Sequence, residues 1–235
     1  MLELDSIPSS QRRIILMTEL VPGLTVAQFW DRIMEDASRW WPVPNRILWH
    51  ILRCLVRSVM AMAQPPDRPY GESNEPPTLE PLPQHEPTKE DYQIHHGDMN
   101  PTNVLFGDLD RGEHSLVPIL RVIDFGVARD SSEFPGATRT ITQANIRDMT
   151  CSFDLIMDDK DPNLDEELGN LVNQCSNLDS GKRPKLATLF GTIQNAIHLK
   201  TGPQYFIGKP RAQWESTNRI RQYVQRMILD ADIDQ

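Results

Sequence analysis

Residues 92–126 read YQIHHGDMNPTNVLFGDLDRGEHSLVPILRVIDFG, and the fold turns on this stretch. Two short apolar runs, residues 104–106 and 119–123, flank a turn-rich segment at 107–115, the pattern of a β-hairpin. Each run adjoins a polar cluster. His96-Gly97-Asp98-x-x-Pro101-x-Asn103 leads into the first run, and Asp124-Phe125-Gly126 leaves the second. Asp98 and Asn103 stand five residues apart in a loop that Pro101 stiffens, so a carboxylate and an amide oxygen can face one cleft. Gly126 lets the chain turn sharply just past Asp124. Two acids and an amide arranged this way offer the hard oxygen ligands that magnesium takes beside phosphate, and a carboxylate able to receive a hydroxyl proton. Either cluster alone recurs by chance; the order cluster, strand, turn, strand, cluster is far more specific.

The rest of the chain bounds the reading. Its 235 residues suffice for one large domain with a real core. With 24 basic against 33 acidic residues the net charge is −9, which leaves no basic footprint for nucleic acid and no polybasic membrane anchor. The longest apolar stretch, residues 47–63, carries His50, Arg53 and Arg57 and is too short and too charged to span a bilayer. Neither a nucleic-acid nor a membrane partner is expected. Cys54, Cys151 and Cys175 form no C-x-x-C pair and are odd in number, which points to reduced thiols and an intracellular, cytoplasmic location. Nothing near His95 and His96 supplies a third ligand at zinc spacing, so both are read as structural histidines.

Apolar residues 14–17, followed by Pro22-Gly23, suggest a buried strand over 12–18. Thr25 and Gln28 form a capping box for a helix over 26–37 that buries Val26, Phe29 and Ile33. Asn45 can cap a second helix over 47–62, with a wide apolar face and Arg46, Arg53 and Arg57 reaching solvent. Residues 64–87 hold eight prolines in 24 positions, so the segment 64–90 reads as an extended or disordered insertion within a single domain spanning 1–235. Further helices are expected over 146–157, 164–178, 184–199 (Pro184 in the first turn) and 214–229. The fold class is mainly α within an α+β family, with a small hairpin at a cleft.

Residues 96–106 resemble the catalytic loop of the protein kinase superfamily, and residues 122–126 resemble its magnesium-binding Asp-Phe-Gly segment. Residues 14–23 are similar to the last strand of the small lobe running into the hinge, and the helices over 26–37 and 47–62 are similar to the two that follow. Cys175-x7-Arg183-Pro184 resembles the penultimate-helix signature. The resemblance spans nearly the whole chain, although its specific motifs cover only about 30 residues. It implies a kinase-like C-terminal lobe with a remnant hinge strand, using ATP and Mg2+ to phosphorylate a protein Ser/Thr hydroxyl. By that resemblance Asp98 orients or deprotonates the acceptor, and Asn103 and Asp124 hold magnesium. The backbone of Glu19 and Val21 meets the adenine edge, and Leu105 floors its pocket. His96, Phe125 and Gly126 support the site. The implied partners are ATP and a protein substrate or docking partner.

The departures shape the expectation. Gly97 stands where most protein kinases carry Arg, and His-Gly-Asp also occurs in small-molecule kinases similar to aminoglycoside phosphotransferases. Asn100 replaces a Lys that touches the transferred phosphate. No Ala-Pro-Glu follows Gly126, so the partner of Arg183 is open, and Asn145 takes the place of an Asp that would bond the catalytic-loop backbone. No Gly-rich loop or Val-Ala-Ile-Lys precedes residue 12, so the small lobe is expected to be missing. Loss of one well-placed electrostatic group typically costs ~3 kcal/mol of transition-state stabilisation, so weak or no turnover is expected from this chain alone. A pseudokinase fragment serving as a binding scaffold and a small-molecule kinase are the competing readings. Limited proteolysis is expected to cut first within residues 64–87; protection there would mean that the segment is packed.

Overall fold

The computed structural model describes residues 23–65, 92–131 and 141–232. The strand expected over 12–18, the positions of Glu19 and Val21, and nearly all of the insertion at 64–90 lie outside the described residues. In chain order the elements are α1 (Val26–Glu35), α2 (Ala37–Trp40), α3 (Asn45–Ala63), β1 (Ile94–His95), β2 (Val104–Phe106), β3 (Leu120–Val122) and β4 (Arg129–Asp130). They continue with α4 (Ile141–Asp148), α5 (Thr150–Asp154), α6 (Glu166–Cys175), α7 (Leu186–Leu199) and α8 (Thr217–Met227). The chain is mainly helical with two small antiparallel ladders. Among the described residues no helix is long and apolar enough to cross a membrane.

α1 starts at its capping box: Gln28 N–H donates to Thr25 Oγ1 at 3.1 Å, and Thr25 N–H donates to Gln28 Oε1 at 2.9 Å. The helix expected over 26–37 ends early. Asp36 leaves helical geometry and accepts the Ser38 hydroxyl at 2.9 Å, a local bond that competes with helix continuation, and the short α2 follows. Phe29 sits edge-on to both Phe106 and Tyr223, so α1 joins the hairpin to α8 through aromatic contacts.

α3 is the central element and packs against α4, α7 and β3. Its apolar residues wrap most of its circumference, with Leu52, Leu55, Val56 and Val59 fully enclosed. Two expectations about α3 are corrected here. Asn45 does not cap it but is its first residue, and the cap comes from Glu215, whose carboxylate accepts Asn45 N–H at 2.7 Å and Arg46 N–H at 3.0 Å. A distant carboxylate thus satisfies orphan donors at the positive end of the helix dipole. Burial pushes the Glu215 carboxyl up, against the lowering effect of these donors. Asn45 turns its own side chain outward from the helix, donating to Asn163 O at 2.8 Å and accepting Asp165 N–H at 2.6 Å.

Arg53 does not reach solvent. It is 3% exposed, because the loop between β2 and β3 folds over it. Its guanidinium lies 3.1 Å from His50 Nδ1 and donates to the main-chain oxygen of Glu113. Arg57 holds the Glu113 carboxylate with two bonds, at 3.2 and 2.7 Å. Cys54 Sγ lies 3.7 Å from His114 Nδ1 in the same layer. A helix that is apolar nearly all round leaves its basic residues no other way out, so the loop brings them their partners.

β2 and β3 pair antiparallel with Val104 opposite Val122, Leu105 opposite Arg121 and Phe106 opposite Leu120. The hairpin read from residues 104–106 and 119–123 is therefore present. Phe106 N–H donates to Leu24 O at 2.8 Å, which fastens the other edge of β2 to the start of α1. Gly23 is required at this crossing: its φ is +134°, and a Cβ there would lie 2.0 Å from Phe106 O. The second ladder, β1 with β4, has no counterpart in the sequence reading, since two-residue strands carry no periodicity. The helix expected over 146–157 is instead α4 and α5. α4 starts earlier because its polar positions face β1 rather than water, which hides its buried side. Pro184 precedes Lys185, the cap of α7, and so sits outside that helix's first turn.

Burial, reinforced by the Arg53 guanidinium, pushes the His50 imidazole down to about 3 from its ordinary 6.5. The unfolded chain therefore binds more protons than the folded one between those values, and the contribution of His50 to stability rises with pH across that window and is flat above it. Buried His114 is lowered in the same direction. Thermal denaturation between pH about 4 and about 7 should show the rise, and H50Q should shrink it. An H50Q profile parallel to wild type would mean that His50 is not held neutral.

Candidate functional site

α4 grips the strand that leads into the polar loop. Thr142, Asn145 and Asp148 are spaced by three and share one helix face. Buried Gln93 accepts both Thr142 N–H, at 3.1 Å, and the Thr142 hydroxyl, at 2.8 Å, on Oε1. Asn145, fully buried, accepts His96 N–H at 3.2 Å and donates to Ile94 O at 2.7 Å. Asp148 Oδ2 lies 2.9 Å from His95 Nε2. Residues 93–96 are thus bound side by side along one helix. The bond expected between Asn145 and the loop backbone is present, and the amide adds something an aspartate could not, a donor for the Ile94 carbonyl.

His96 organises the turn. Asp98 N–H donates to its Nδ1 at 3.2 Å, and its Nε2 lies 2.9 Å from Ile123 O. The tautomer with hydrogen on Nε2 satisfies both contacts. The ring also stacks at a tilt on Phe125, with centroids 4.6 Å apart. One buried imidazole therefore ties the loop to the residue just before Asp124. Gly97, at φ +79°, supplies the left-handed step between His96 and Asp98. From below, the Ser152 hydroxyl on α5 donates to Met99 O at 3.0 Å.

Asp98 and Asn103 are in direct contact. Asn103 Nδ2 donates to the Asp98 carboxylate at 2.9 Å and to its main-chain oxygen at 3.0 Å. Asn100 Nδ2 donates to the other Asp98 carboxylate oxygen at 2.8 Å. Ile123 N–H donates to Asn103 O at 2.9 Å, which extends the hairpin by one rung and delivers Asp124 immediately beyond it. Among the described residues Asp124 is the one non-glycine with positive φ, +60°. Asp tolerates this conformation at a cost, and such strain gathers at functional positions. Asp124 Oδ1 accepts Gly126 N–H at 3.2 Å, and a Cβ at position 126 would stand only 3.0 Å from that oxygen.

Asp98 and Asp124 are exposed, while Asn103 is buried. Among the described residues no donor reaches Asn103 Oδ1 or the second oxygen of Asp124. Among the described residues no three His, Cys, Asp or Glu side chains gather into a metal cluster. One carboxylate and one amide match the protein share that magnesium takes when phosphate and water complete its shell. Leu105, the middle residue of β2, is buried and bridged to Thr25, and Phe125 is 49% exposed. Arg183 reaches Asn177 O at 2.7 Å, Leu178 O at 3.4 Å and the main-chain oxygen of Gln143, joining the α6–α7 turn to α4.

The contacts missed in the sequence are those of Asn100 with Asp98, of Gln93 with Thr142 and of His95 with Asp148. An Asn-Pro dipeptide marks a turn start, so Asn100 had a local signal as a cap, but its reach to Asp98 had none. Comparison of the chain with family models, with curated proteins and with solved structures finds no match.

If Asn145 holds the loop, N145A should lower stability by about 2–4 kcal/mol, since it orphans a buried N–H and a buried C=O together. N145D keeps the acceptor but sets a buried carboxylate oxygen against the Ile94 carbonyl, so it should cost at least as much. Denaturant midpoints for the three proteins check the order; an N145A midpoint equal to wild type would show that the tether carries no load.

Proposed function

We propose that the chain is a divergent protein-kinase-like phosphotransferase, with its described part corresponding to the large lobe. The observation that carries this reading is the Asp98–Asn103 contact in the loop that leads into one strand of a hairpin whose other strand delivers Asp124 in a left-handed conformation. Phosphoryl transfer asks little covalent chemistry of a protein; it needs positioned carboxylates and charge-neutralising groups around the phosphates. In this reading α1 and α3 stand where the two helices after a kinase hinge stand. The stretch from Cys175 to Arg183 stands at the end of the penultimate helix.

Asp98 would orient the acceptor hydroxyl and take its proton as the oxygen bonds to the γ-phosphorus and ADP leaves. Asn103 Oδ1 and the open oxygen of Asp124 would hold Mg2+, which neutralises charge on the phosphate oxygens when bound. Leu105 would lie under the adenine. His96 would keep the two halves of the site in register. A Ser/Thr side chain of a protein is the favoured acceptor, because Asp98 stands on an exposed loop rather than in an enclosed pocket.

A second reading keeps the fold and drops the turnover: a pseudokinase used for docking. It draws on Phe125 and Val127, which expose 49% and 58% of their surface beside the site. Magnesium-dependent nucleotide binding separates the two. D124N should weaken Mg-ATP binding about tenfold or more while leaving the melting temperature near that of wild type, as titration calorimetry and thermal denaturation would read. Equal affinities for the two proteins would remove the magnesium role, and with it the phosphotransferase reading.

A further inference from the structure

Asn100 is not accounted for by the roles above, and its side chain is held at both ends. Its Oδ1 accepts Thr102 N–H at 2.8 Å and the Thr102 hydroxyl at 2.5 Å, capping the 3-10 turn Pro101–Asn103. Two donors on Oδ1 fix which end of the amide is oxygen, so Nδ2 is committed to the opposite side. There it meets Asp98 Oδ1 at 2.8 Å. Asn103 meets Asp98 Oδ2 at 2.9 Å. Each oxygen of the Asp98 carboxylate thus accepts one amide hydrogen from its own side of the loop.

We propose that Asn100 is a positioning residue that locks the carboxylate plane of Asp98, so that the lone pairs left uncovered point away from the loop. The proposal deepens the phosphotransferase reading and rests on it for its catalytic meaning. A carboxylate held by one donor can rotate about its Cβ–Cγ bond; one held by a donor on each oxygen cannot without losing a bond. Both donors are neutral amides, so the clamp orients the group without pairing its charge to a cation. Thr102 is part of the device, since it keeps the Asn100 amide from flipping.

Two variants separate this role from turn capping. N100D keeps an acceptor for Thr102 but has no hydrogen to give Asp98. N100S caps the turn well but is too short to reach Asp98 while doing so. The test uses the full chain labelled with 13C at aspartate carboxyls, with the Asp98 signal assigned by its loss in D98N. In wild type the Asp98 Cγ should relax as a rigid group. In N100D and N100S it should show added fast internal motion, with melting temperatures near that of wild type. Relaxation unchanged in both variants overturns the proposal, and so does lost rigidity that merely follows a lowered melting temperature.

Phosphate release from Mg-ATP is measured on the same samples. Where wild type turns over, kcat should fall about five- to tenfold in both variants at unchanged KM, the effect of one lost orienting bond. Equal kcat in wild type and variants overturns the positioning role. Turnover no higher in wild type than in D98N would defeat the phosphotransferase reading alone, leaving the relaxation result to decide the clamp.

Discussion

The buried side chain of Asn145 is the constraint on which the site depends. One amide accepts from His96 and donates to Ile94, so one edge of the strand leading into the loop is set by a single residue of α4. Strand β1 is only two residues long and could not hold a register by itself. Gln93 with Thr142 extends the same grip one residue back along the strand, and His95 with Asp148 fills the position between. With residues 93–96 fixed, His96 is aimed, and through it Ile123 and the turn at Asp124. The order of dependence therefore runs from helix to strand, from strand to imidazole, and from imidazole to the second half of the site.

Two left-handed residues, Gly97 and Asp124, bracket this arrangement. They differ in kind. Glycine adopts the conformation at no steric cost, whereas an aspartate resists it by a kilocalorie or so, ~1–2 kcal/mol. A residue so held must be over-determined by its neighbours, and the bond from Ile123 to Asn103 with the clamp of His96 on Ile123 O supplies that. Strain at Asp124 and rigidity around it go together: the exposed acid is held in its left-handed conformation by Asn103, Ile123 and His96.

What the sequence revealed was local. The capping box at Thr25 and Gln28, the hairpin over residues 104–123 and the apolar stripe of α3 are each settled by residues close together in the chain, and each is found as read. That Asp98 and Asn103 share one loop was legible for the same reason; the hydrogen bond between them was not. What was hidden is long-range. The first turn of α4 looks polar because Thr142 and Asn145 spend their polarity on residues 93–96. Arg53 looks solvent-facing because the loop that covers it arrives some sixty residues later. The cap of α3 could not be read at all, since Asn45 offers the stronger local signal and Glu215 lies 170 residues away.

That last separation bears on how the protein is made. During synthesis α3 leaves the ribosome without the cap for its leading amides, and that cap arrives only after some 170 further residues. The central helix can collapse early onto its apolar neighbours, but its beginning is sealed only at the end. A chain cut short of Glu215 would carry this helix with its first amides uncapped and its positively polarised end uncompensated.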